Sequence, residues 1–242
     1  MAGLLVAAGG CGPVAPPTAT GTATETASAT DRATGDGPGR TETPRSLVAE
    51  EQAYEQVISQ VLPSIVQITT KNGLGSGIVY DTAGHIVTNA HVVGRSRSFE
   101  VTLSTGGRSR RADLVASYPL GDLAVIKVGD RTGLSPATFG DSTRLKVGQI
   151  VLAMGNPLGL SGSVTNGIVS ALGRTVTEPQ GEGSPGATIT NAIQTSASIN
   201  PGNSGGALTN LSGEVIGVPT LAAVNPDMGG GAAPGIGFAI PS

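Results

Sequence analysis

The chain has 242 residues and a mass of 23.8 kDa, a length that allows one or two domains with a sizeable core. Its formal net charge of −3 leaves no basic excess to follow a phosphate backbone, so nucleic-acid binding is disfavoured. A single cysteine cannot form an intrachain disulfide, and two histidines, His85 and His91, leave little for a zinc site. The sequence therefore predicts chemistry without a metal or another cofactor.

The first 46 residues are predicted to lie outside the folded body. The apolar stretch 1–8 is far shorter than the ~18–20 residues that span a bilayer, and small residues lead from it to Cys11. This pattern is typical of the end of a bacterial lipoprotein signal with Cys11 as the lipidated residue, although Ala8 stands where a larger aliphatic residue is usual. The alternative is an incidental cysteine in a disordered terminus. Residues 15–46 contain no Val, Ile, Leu, Met or aromatic residue, which predicts a flexible tether. An exported protein of the cell envelope or the extracellular space, anchored to lipid through Cys11, is expected.

The folded part is predicted to begin with one amphipathic helix. Ser46 is a suitable N-cap, apolar residues recur at helical spacing from Leu47 to Leu62, and Pro63 ends the pattern. The apolar face of this helix is expected to pack against the rest of the domain, which is predicted to span residues 47–242.

Beyond Pro63 the pattern changes to short apolar runs separated by Gly, Asn, Asp, Ser and Pro, which is typical of an all-β barrel or sandwich. The runs are 64–69, 77–80, 85–88, 100–103, 112–116, 123–128, 149–153, 167–171, 189–194, 206–208, 214–218 and 235–240. About a dozen strands exceed one small sandwich, whereas two closed barrels of six would leave no exposed edge. The prediction is an all-β fold with two barrels, over about 64–129 and 140–242.

The most specific segment is 194–206, QTSASINPGNSGG. A serine hydroxyl is a poor nucleophile unless a base removes its proton and donors stabilise the resulting oxyanion. Glycines on both sides of Ser204 permit a tight turn in which consecutive N–H groups converge, and Gly202 and Ser204 are the candidate donors. Taken alone, the motif could equally be a glycine-rich β-turn.

Chain order restricts the type of site. The same residues satisfy the Gly-x-Ser-x-Gly elbow of α/β-hydrolases, but that fold places its histidine after the serine, and both histidines precede Ser204. A subtilisin-like order needs an Asp before the base, and Asp81 lies only a hairpin away from His91. The alternating helices of that fold are also not predicted. The order His, Asp, Ser of chymotrypsin-like enzymes remains.

The preferred base is His91, which follows the mostly apolar strand 86–90 and is expected to be held at a strand end. His85 enters a strand after a turn and is expected to be exposed. An unperturbed imidazole titrates near ~6.5, so it can take and return a proton near neutrality. The preferred acid is Asp122, because the apolar run after it would desolvate the carboxylate that accepts the imidazole N–H. The other acidic residues considered are Asp113, Asp130 and Asp141, the last two as turn residues, with Glu100, Glu178 and Glu182 as weaker choices.

Three motifs together resemble the HtrA (Deg) family of trypsin-like serine proteases: TNAHVV at 88–93, DLAV at 122–125 and INPGNSGG at 199–206. Supporting matches are 75–77, 154–159, 167–171 and 236–241, so that the resemblance covers about residues 50–242. It implies a chymotrypsin-like double β-barrel serine endopeptidase that hydrolyses unfolded or damaged cell-envelope proteins through an acyl-enzyme. The resemblance also implies a homotrimer.

The resemblance places His91, Asp122 and Ser204 on the catalytic triad, and the amides of Gly202 and Ser204 on the oxyanion hole. Strand 215–220 is expected to edge the substrate cleft. The predicted cleft residues are Ile199, Asn200, Val218, Pro219 and Thr220. Nothing places an acid in the primary specificity pocket, so cleavage after small or medium apolar residues is expected.

The sequence departs from the family in three places. An acidic residue is usual where Ser196 stands, Pro219 has no N–H to pair with an extended peptide, and the sequence contains no PDZ domain up to Ser242. Loops 178–187 and 224–235 are expected to be mobile from their composition, and the resemblance implies that such loops switch the site on and off. A catalytically silent chaperone or peptide-binding module, an envelope structural protein and an esterase remain as alternatives.

Overall fold

The computed structural model describes residues 45–71, 73–156, 162–178, 186–200, 202–225 and 231–242. Helix α1 (Arg45–Val61) leads through a 3-10 turn (Leu62–Ser64) into the first strand. The predicted helix is confirmed, but Ser46 as its N-cap is wrong, because helical conformation begins one residue earlier at Arg45. Pro63 lies in the 3-10 turn, where its missing N–H interrupts α-helical bonding. Cys11 and the tether up to residue 44 lie outside the described residues.

Six antiparallel strands close the first barrel in the order β1-β2-β3-β6-β5-β4. They are β1 (Ile65–Thr69), β2 (Leu74–Val79), β3 (His85–Thr88), β4 (Ser98–Leu103), β5 (Arg110–Tyr118) and β6 (Leu123–Val128). A single helical turn, α2 (Ala90–Val93), follows β3, and a 3-10 turn (Pro119–Gly121) precedes β6. Strand β1 pairs with both β2 and β4, so this sheet has no free edge.

The second barrel closes in the same way, in the order β10-β11-β12-β9-β8-β7. Its strands are β7 (Ile150–Gly155), β8 (Ser163–Glu178), β9 (Ala187–Thr195), β10 (Ala207–Thr209), β11 (Val215–Asn225) and β12 (Gly231–Pro241). The predicted double barrel with a short N-terminal helix is therefore confirmed. Strands β8, β11 and β12 are longer than the apolar runs from which they were predicted. Backbone pairing between neighbouring strands continues beyond the apolar residues. Of the loops expected to be mobile, 179–185 and 226–230 lie outside the described residues.

Buried aliphatic side chains fill the barrels and also join them. One cluster of fully or nearly fully buried residues takes Val57 and Val61 from α1, Ile65 and Ile78 from the first barrel, and Met154 from the second. Burying each such side chain contributes about 1.5–3 kcal/mol, so both barrels and the helix are packed as one unit at this seam. In the described part of the chain, no helix has the length and apolar character needed to cross a membrane.

Candidate active site

Asp122 lies between the 3-10 turn (Pro119–Gly121) and β6, in a left-handed backbone conformation with φ of 52°. Aspartate tolerates this region better than most side chains. Its N–H donates to the Pro119 carbonyl at 3.1 Å, and Asn89 Nδ2 donates to its carbonyl at 3.0 Å. The residue is only 1% exposed. The backbone is thus held on both sides and the carboxylate is withdrawn from water, as the sequence predicted.

His91 faces this carboxylate from helix α2. The expectation that it sits at the end of a strand is refined, since it lies in the helical turn that follows β3. Its backbone N–H donates to Asp122 Oδ1 at 3.0 Å, and its Nδ1 lies 3.0 and 2.9 Å from the two carboxylate oxygens. Because a carboxylate only accepts, Nδ1 carries the proton and the neutral ring keeps its lone pair on Nε2. The His91 side chain remains 25% exposed.

Thr220 connects this pair to the predicted nucleophile. Its hydroxyl donates to Asp122 Oδ2, and its backbone carbonyl accepts a hydrogen bond of 3.0 Å from Ser204 Oγ. The carboxylate therefore accepts from Thr220 and twice from His91, which offsets its loss of hydration. Of the predicted triad, His91 and Asp122 from the first barrel contact each other directly, and Thr220 links this pair to Ser204 from the second barrel.

Ser204 lies in a tight turn of residues 202–206, here called the nucleophile loop. Gly202 and Gly205 have φ angles of 107° and 80°, in the region that favours glycine. Gly205 N–H donates to the Pro219 carbonyl at 3.0 Å. The pairing of β11 with β12 shifts register just after Pro219, and the carbonyls of residues 219 and 220 both contact the loop. The bulge thus turns the strand toward Ser204.

The buried Asn203 side chain fixes the approach to this loop. Its Nδ2 donates to the Ser198 carbonyl at 3.0 Å, and its Oδ1 accepts from the Asn200 N–H at 3.0 Å. Its own N–H donates to the Asn200 carbonyl at 3.1 Å. One amide side chain therefore closes the segment 198–203 on itself.

Four of the five predicted cleft residues are buried, and Asn200 is exposed. Pro219 and Thr220 are buried against the nucleophile loop, with Pro219 presenting its carbonyl to Gly205. Ile199 and Val218 are 6% and 4% exposed, Ile199 in a hydrophobic cluster of the second barrel and Val218 in the cluster that joins α1 and both barrels. Asn200 is exposed and its N–H is bound by Asn203. Their role as cleft residues stays a prediction.

The serine at position 196, where the family usually has an acid, ties the segment before the nucleophile to β8. Its Oγ accepts from the Ile168 N–H at 3.0 Å, and its own N–H donates to the Ile168 carbonyl at 3.1 Å. A hydroxyl thus supplies here the acceptor that a carboxylate could also supply.

His85 is paired elsewhere. Its Nδ1 lies 2.7 Å from Asp81 Oδ2 across the β2–β3 turn, and this hydrogen bond lowers the pKa of the Asp81 carboxyl. The His85 side chain is 30% exposed, so the expectation of an exposed residue is replaced by a half-buried one. The hairpin, with Asp81 accepting from backbone N–H groups, accounts for this second histidine without a role in the site.

The other carboxylates also lie in local contacts. Asp113 is exposed beside Arg111 at 3.4 Å, and Asp141 accepts from the Thr143 N–H in a turn, as predicted. Asp130 is a turn residue too, and hydrogen bonds from Thr132 lower the pKa of its carboxyl to about 2. Glu100 is exposed next to Ser109, and Glu182 and the Glu178 side chain lie outside what the structure describes. Among the described side chains, no group of three or more His, Cys, Asp or Glu could hold a metal ion.

Sequence reasoning missed two contacts in the site. Thr220, predicted only as a cleft residue, also bonds Asp122 and Ser204. Ser76, noted only as part of a Gly-Ser-Gly similarity, is fully buried and donates from Oγ to the Gly202 carbonyl at 2.5 Å. Nothing in the spacing of the sequence signals the contacts of Thr220 with Asp122 and of Ser76 with Gly202, which join residues 98 and 126 positions apart.

The double β-barrel and the grouping of His91, Asp122, Thr220 and Ser204 are typical of chymotrypsin-like serine proteases. Comparison with known proteins identifies the family. The model of the trypsin-like peptidase domain matches residues 75–218, which include all three predicted triad positions, and the chain belongs to this family. Within the family its relatives are HtrA-type serine proteases, which confirms the resemblance found in the sequence. Serine protease PepD of Mycobacterium tuberculosis is 44% identical over 206 residues, covering 78% of this chain and 44% of PepD.

A second relative and a solved structure are also HtrA-type proteases. Periplasmic serine endoprotease DegP of Escherichia coli is 46% identical over 170 residues, covering 70% of this chain and 33% of DegP. The solved structure of the HtrA-type protease AlgW with a tripeptide superposes with a TM-score of 0.66 at 40% identity, covering 78% of this chain and 60% of that chain. The chain spans less than half the length of these two curated relatives.

Proposed function

We propose that this chain is an HtrA-type serine endopeptidase that hydrolyses peptide bonds through an acyl-enzyme formed on Ser204. The observation that carries the proposal is the pairing of His91 with Asp122, together with Thr220, whose hydroxyl bonds Asp122 and whose carbonyl bonds Ser204. These side chains come from both barrels, so their meeting is a property of the whole fold. The names of the relatives, serine proteases PepD and DegP, support the same chemistry.

In the proposed acylation step, Ser204 Oγ forms a bond to the carbonyl carbon of the scissile peptide. Its proton, which points toward the Thr220 carbonyl in this structure, passes to Nε2 of His91. Asp122 accepts from Nδ1–H and stabilises the imidazolium. The C–N bond then breaks, and His91 returns the proton to the leaving amine, which leaves an ester on Ser204.

In deacylation, water takes the place of the amine. His91 removes one proton from the water as its oxygen attacks the ester carbon, and this proton returns to Ser204 Oγ as the carboxylic acid leaves. In both steps the amides of Gly202 and Ser204 are proposed to bind the oxyanion. The positive φ of Gly202 supports this role, because it allows the turn that brings consecutive N–H groups toward one point.

The proposed substrates are unfolded or damaged proteins outside the cytoplasm. This choice rests on the family resemblance and on the relative DegP, which is named periplasmic. Export, lipid attachment through Cys11 and assembly into a homotrimer are part of the same proposal. Fractionation of cells that express the full chain or Cys11→Ser tests the anchor, and light scattering of the purified chain tests the trimer.

Digestion of unfolded casein by the wild-type chain and by Ser204→Ala tests the proposal, together with labelling by a fluorophosphonate probe. We expect the wild type to cleave casein and to react with the probe at Ser204, and the variant to do neither. Full activity in Ser204→Ala would refute the assignment of the nucleophile. A wild-type chain that binds casein without cleavage or labelling would instead favour the silent peptide-binding module. Turnover of small esters without casein cleavage would favour an esterase.

The loop switch implied by the family is proposed as a second level of control. Its two segments are 178–187 and 224–235, of which 179–185 and 226–230 lie outside the described residues. Adding an unfolded-protein activator and measuring cleavage of a short peptide tests it, since a switch predicts a rise in kcat and a permanently formed site predicts none.

A further inference from the structure

We propose that Ser76 is a positioning residue for the oxyanion-binding amide of Ser204, an inference that rests on the proposed function of Ser204. Ser76 lies on β2 of the first barrel and is fully buried. Its Oγ donates to the Gly202 carbonyl at 2.5 Å and accepts from the Asn156 N–H at 2.8 Å. Its backbone N–H donates to the Ser204 carbonyl at 2.9 Å. A single residue of the first barrel thus contacts the nucleophile loop of the second barrel twice.

The Ser204 N–H belongs to the peptide group between Asn203 and Ser204. The bonds from Ser76 to the Gly202 and Ser204 carbonyls hold the peptide groups before and after it. The Gly202 carbonyl belongs to the peptide before it, and the Ser204 carbonyl to the peptide after it. The middle peptide is held too, because its carbonyl on Asn203 accepts from the Gly206 N–H at 3.0 Å. A trans peptide is planar, so fixing this carbonyl directs the Ser204 N–H to the opposite side. All three consecutive peptide groups are therefore oriented.

The Ser76 hydroxyl is the contact that a mutation can remove most selectively. Gly202 has no side chain to resist rotation, and its φ of 107° is one of several that glycine can adopt. Without the hydroxyl, the Gly202 carbonyl and the Asn156 N–H would both lose this hydrogen-bond partner. Leaving buried polar groups unpaired is costly, so rotation of the peptide group that carries the Gly202 carbonyl becomes favourable. The backbone N–H of Ser76 would still hold the Ser204 carbonyl.

Ser76 itself has little freedom to move. Its carbonyl accepts from Thr88 Oγ1 at 2.6 Å, which ties it to the neighbouring strand β3. Close beside its side chain lies Gly155, where an added Cβ would stand 2.9 Å from the Ser76 hydroxyl oxygen. Because both barrels confine the hydroxyl, its position transmits the geometry of the first barrel to the amide of Ser204.

The inference predicts a loss in the chemical step and in transition-state binding, with substrate binding preserved. Removing an oxyanion donor costs about 100–1000-fold in rate, and displacing reacting groups by about 1 Å can cost ~100-fold. For Ser76→Ala we expect kcat for a chromogenic peptide to fall by about 10–100-fold, with KM within about threefold. Inhibition by a peptide aldehyde, whose adduct with Ser204 places an oxyanion in the same site, should weaken by the same factor as kcat/KM.

Ser104→Ala is the matched control. Ser104 is 7% exposed in the first barrel, and its Oγ likewise donates to a backbone carbonyl, that of Leu62 in the 3-10 turn after α1. This variant should change kcat and aldehyde inhibition by less than about twofold, even if its melting temperature falls as much as that of Ser76→Ala. Should Ser76→Ala fail to fold, Ser76→Cys fills the site with a weak donor and is judged by the same criteria.

The outcomes separate this inference from the function on which it rests. Lowered kcat and weakened aldehyde inhibition in the Ser76 variant, but not in Ser104→Ala, would support it. Wild-type kcat in Ser76→Ala, or equal losses in both variants that follow their melting temperatures, would overturn it and leave the proposed protease intact. Full activity in Ser204→Ala would overturn the proposed function, and the role of Ser76 with it.

Discussion

The hydroxyl of Thr220, on a strand of the second barrel, donates a hydrogen bond to Oδ2 of Asp122 in the first barrel, across 98 positions of the sequence. The carbonyl of the same threonine accepts from Ser204 Oγ at 3.0 Å. One residue therefore contacts both the predicted acid and the predicted nucleophile. Because the contact with Asp122 crosses the seam while the contact with Ser204 lies within the second barrel, a change in the relative placement of the barrels would move the acid relative to Thr220 and Ser204 together.

Replacing Thr220 by valine tests the contribution of this hydroxyl. Valine keeps the branched shape and the backbone carbonyl but leaves the buried Asp122 carboxylate one donor short. Hydrogen bonds to charged groups contribute about 1.5–3 kcal/mol, so we expect kcat/KM to fall by about 10–100-fold. Thr220→Ser keeps the donor and should stay within about threefold of the wild type. Equal rates for the valine and serine variants would show that the hydroxyl does not support the acid.

Asp122→Asn should be far more damaging. The amide can present an N–H to Nδ1 of His91, which favours the tautomer with its proton on Nε2 and removes the lone pair that accepts the Ser204 proton. In chymotrypsin-like enzymes the corresponding change lowers kcat by about 10,000-fold, and we expect a loss of that order here, measured by peptide hydrolysis at neutral pH. Asp113→Asn removes an exposed carboxylate and serves as the control. If the two variants kept similar activity, Asp122 would not be the orienting acid.

Gly205→Ala tests the packing of the nucleophile loop against the first barrel. A Cβ at this position would stand well inside contact distance of the Ser76 carbonyl and Thr88 Oγ1. Gly106→Ala is a close control, since its φ of 87° is near the 80° of Gly205 but nothing lies within 4 Å of the added carbon. The control should lose about 1–2 kcal/mol of unfolding free energy through backbone strain alone.

For Gly205→Ala we expect a further loss of about 1–3 kcal/mol from overpacking, with peptidase activity reduced in the fraction that folds. Urea unfolding of both variants measures the difference. Equal destabilisation would mean that the loop can move away from Ser76 without cost, which would also weaken the argument for that residue as a positioning group.

The sequence was sufficient to predict the helix and the strands of the fold. All twelve apolar runs lie on strands, because alternation of buried and exposed residues records which face meets the core. Asp122 was preferred for the apolar run after it, but Asp113 also precedes an apolar run, and the structure separates the two, with Asp122 1% exposed and Asp113 exposed.

The contacts across the seam could not be predicted. Thr220 and Ser76 bond to residues about a hundred positions away, and hydroxyl side chains leave no periodic signal of such partners. Strand ends were also missed, as in β8, which continues to Glu178 after the apolar run stops at residue 171. Pairing there depends on backbone hydrogen bonds, which are the same for every non-proline residue.

The Asp81–His85 pair gives a pH-dependent prediction away from the site. The hydrogen bond from His85, with further bonds from the N–H groups of Ala83 and His85, lowers the pKa of the Asp81 carboxyl below its ordinary value of 3.8. Since the folded state favours the charged carboxylate, its stabilising contribution is complete above the ordinary value and is lost as pH falls through the lowered one. The stability difference between wild type and Asp81→Asn should therefore be largest near neutrality and shrink on acidification.

An NMR titration of the Asp81 carboxyl measures the pKa directly, and a midpoint at or above the ordinary value would contradict the assignment of this hydrogen bond. Urea unfolding of both proteins over the acidic range measures the linked change in stability. Because the pair lies in a surface hairpin with 36% of the Asp81 side chain exposed, Asp81→Asn should leave casein cleavage within about twofold of the wild type. A large loss of cleavage would instead show that the β2–β3 hairpin is coupled, through strand β3, to the placement of His91.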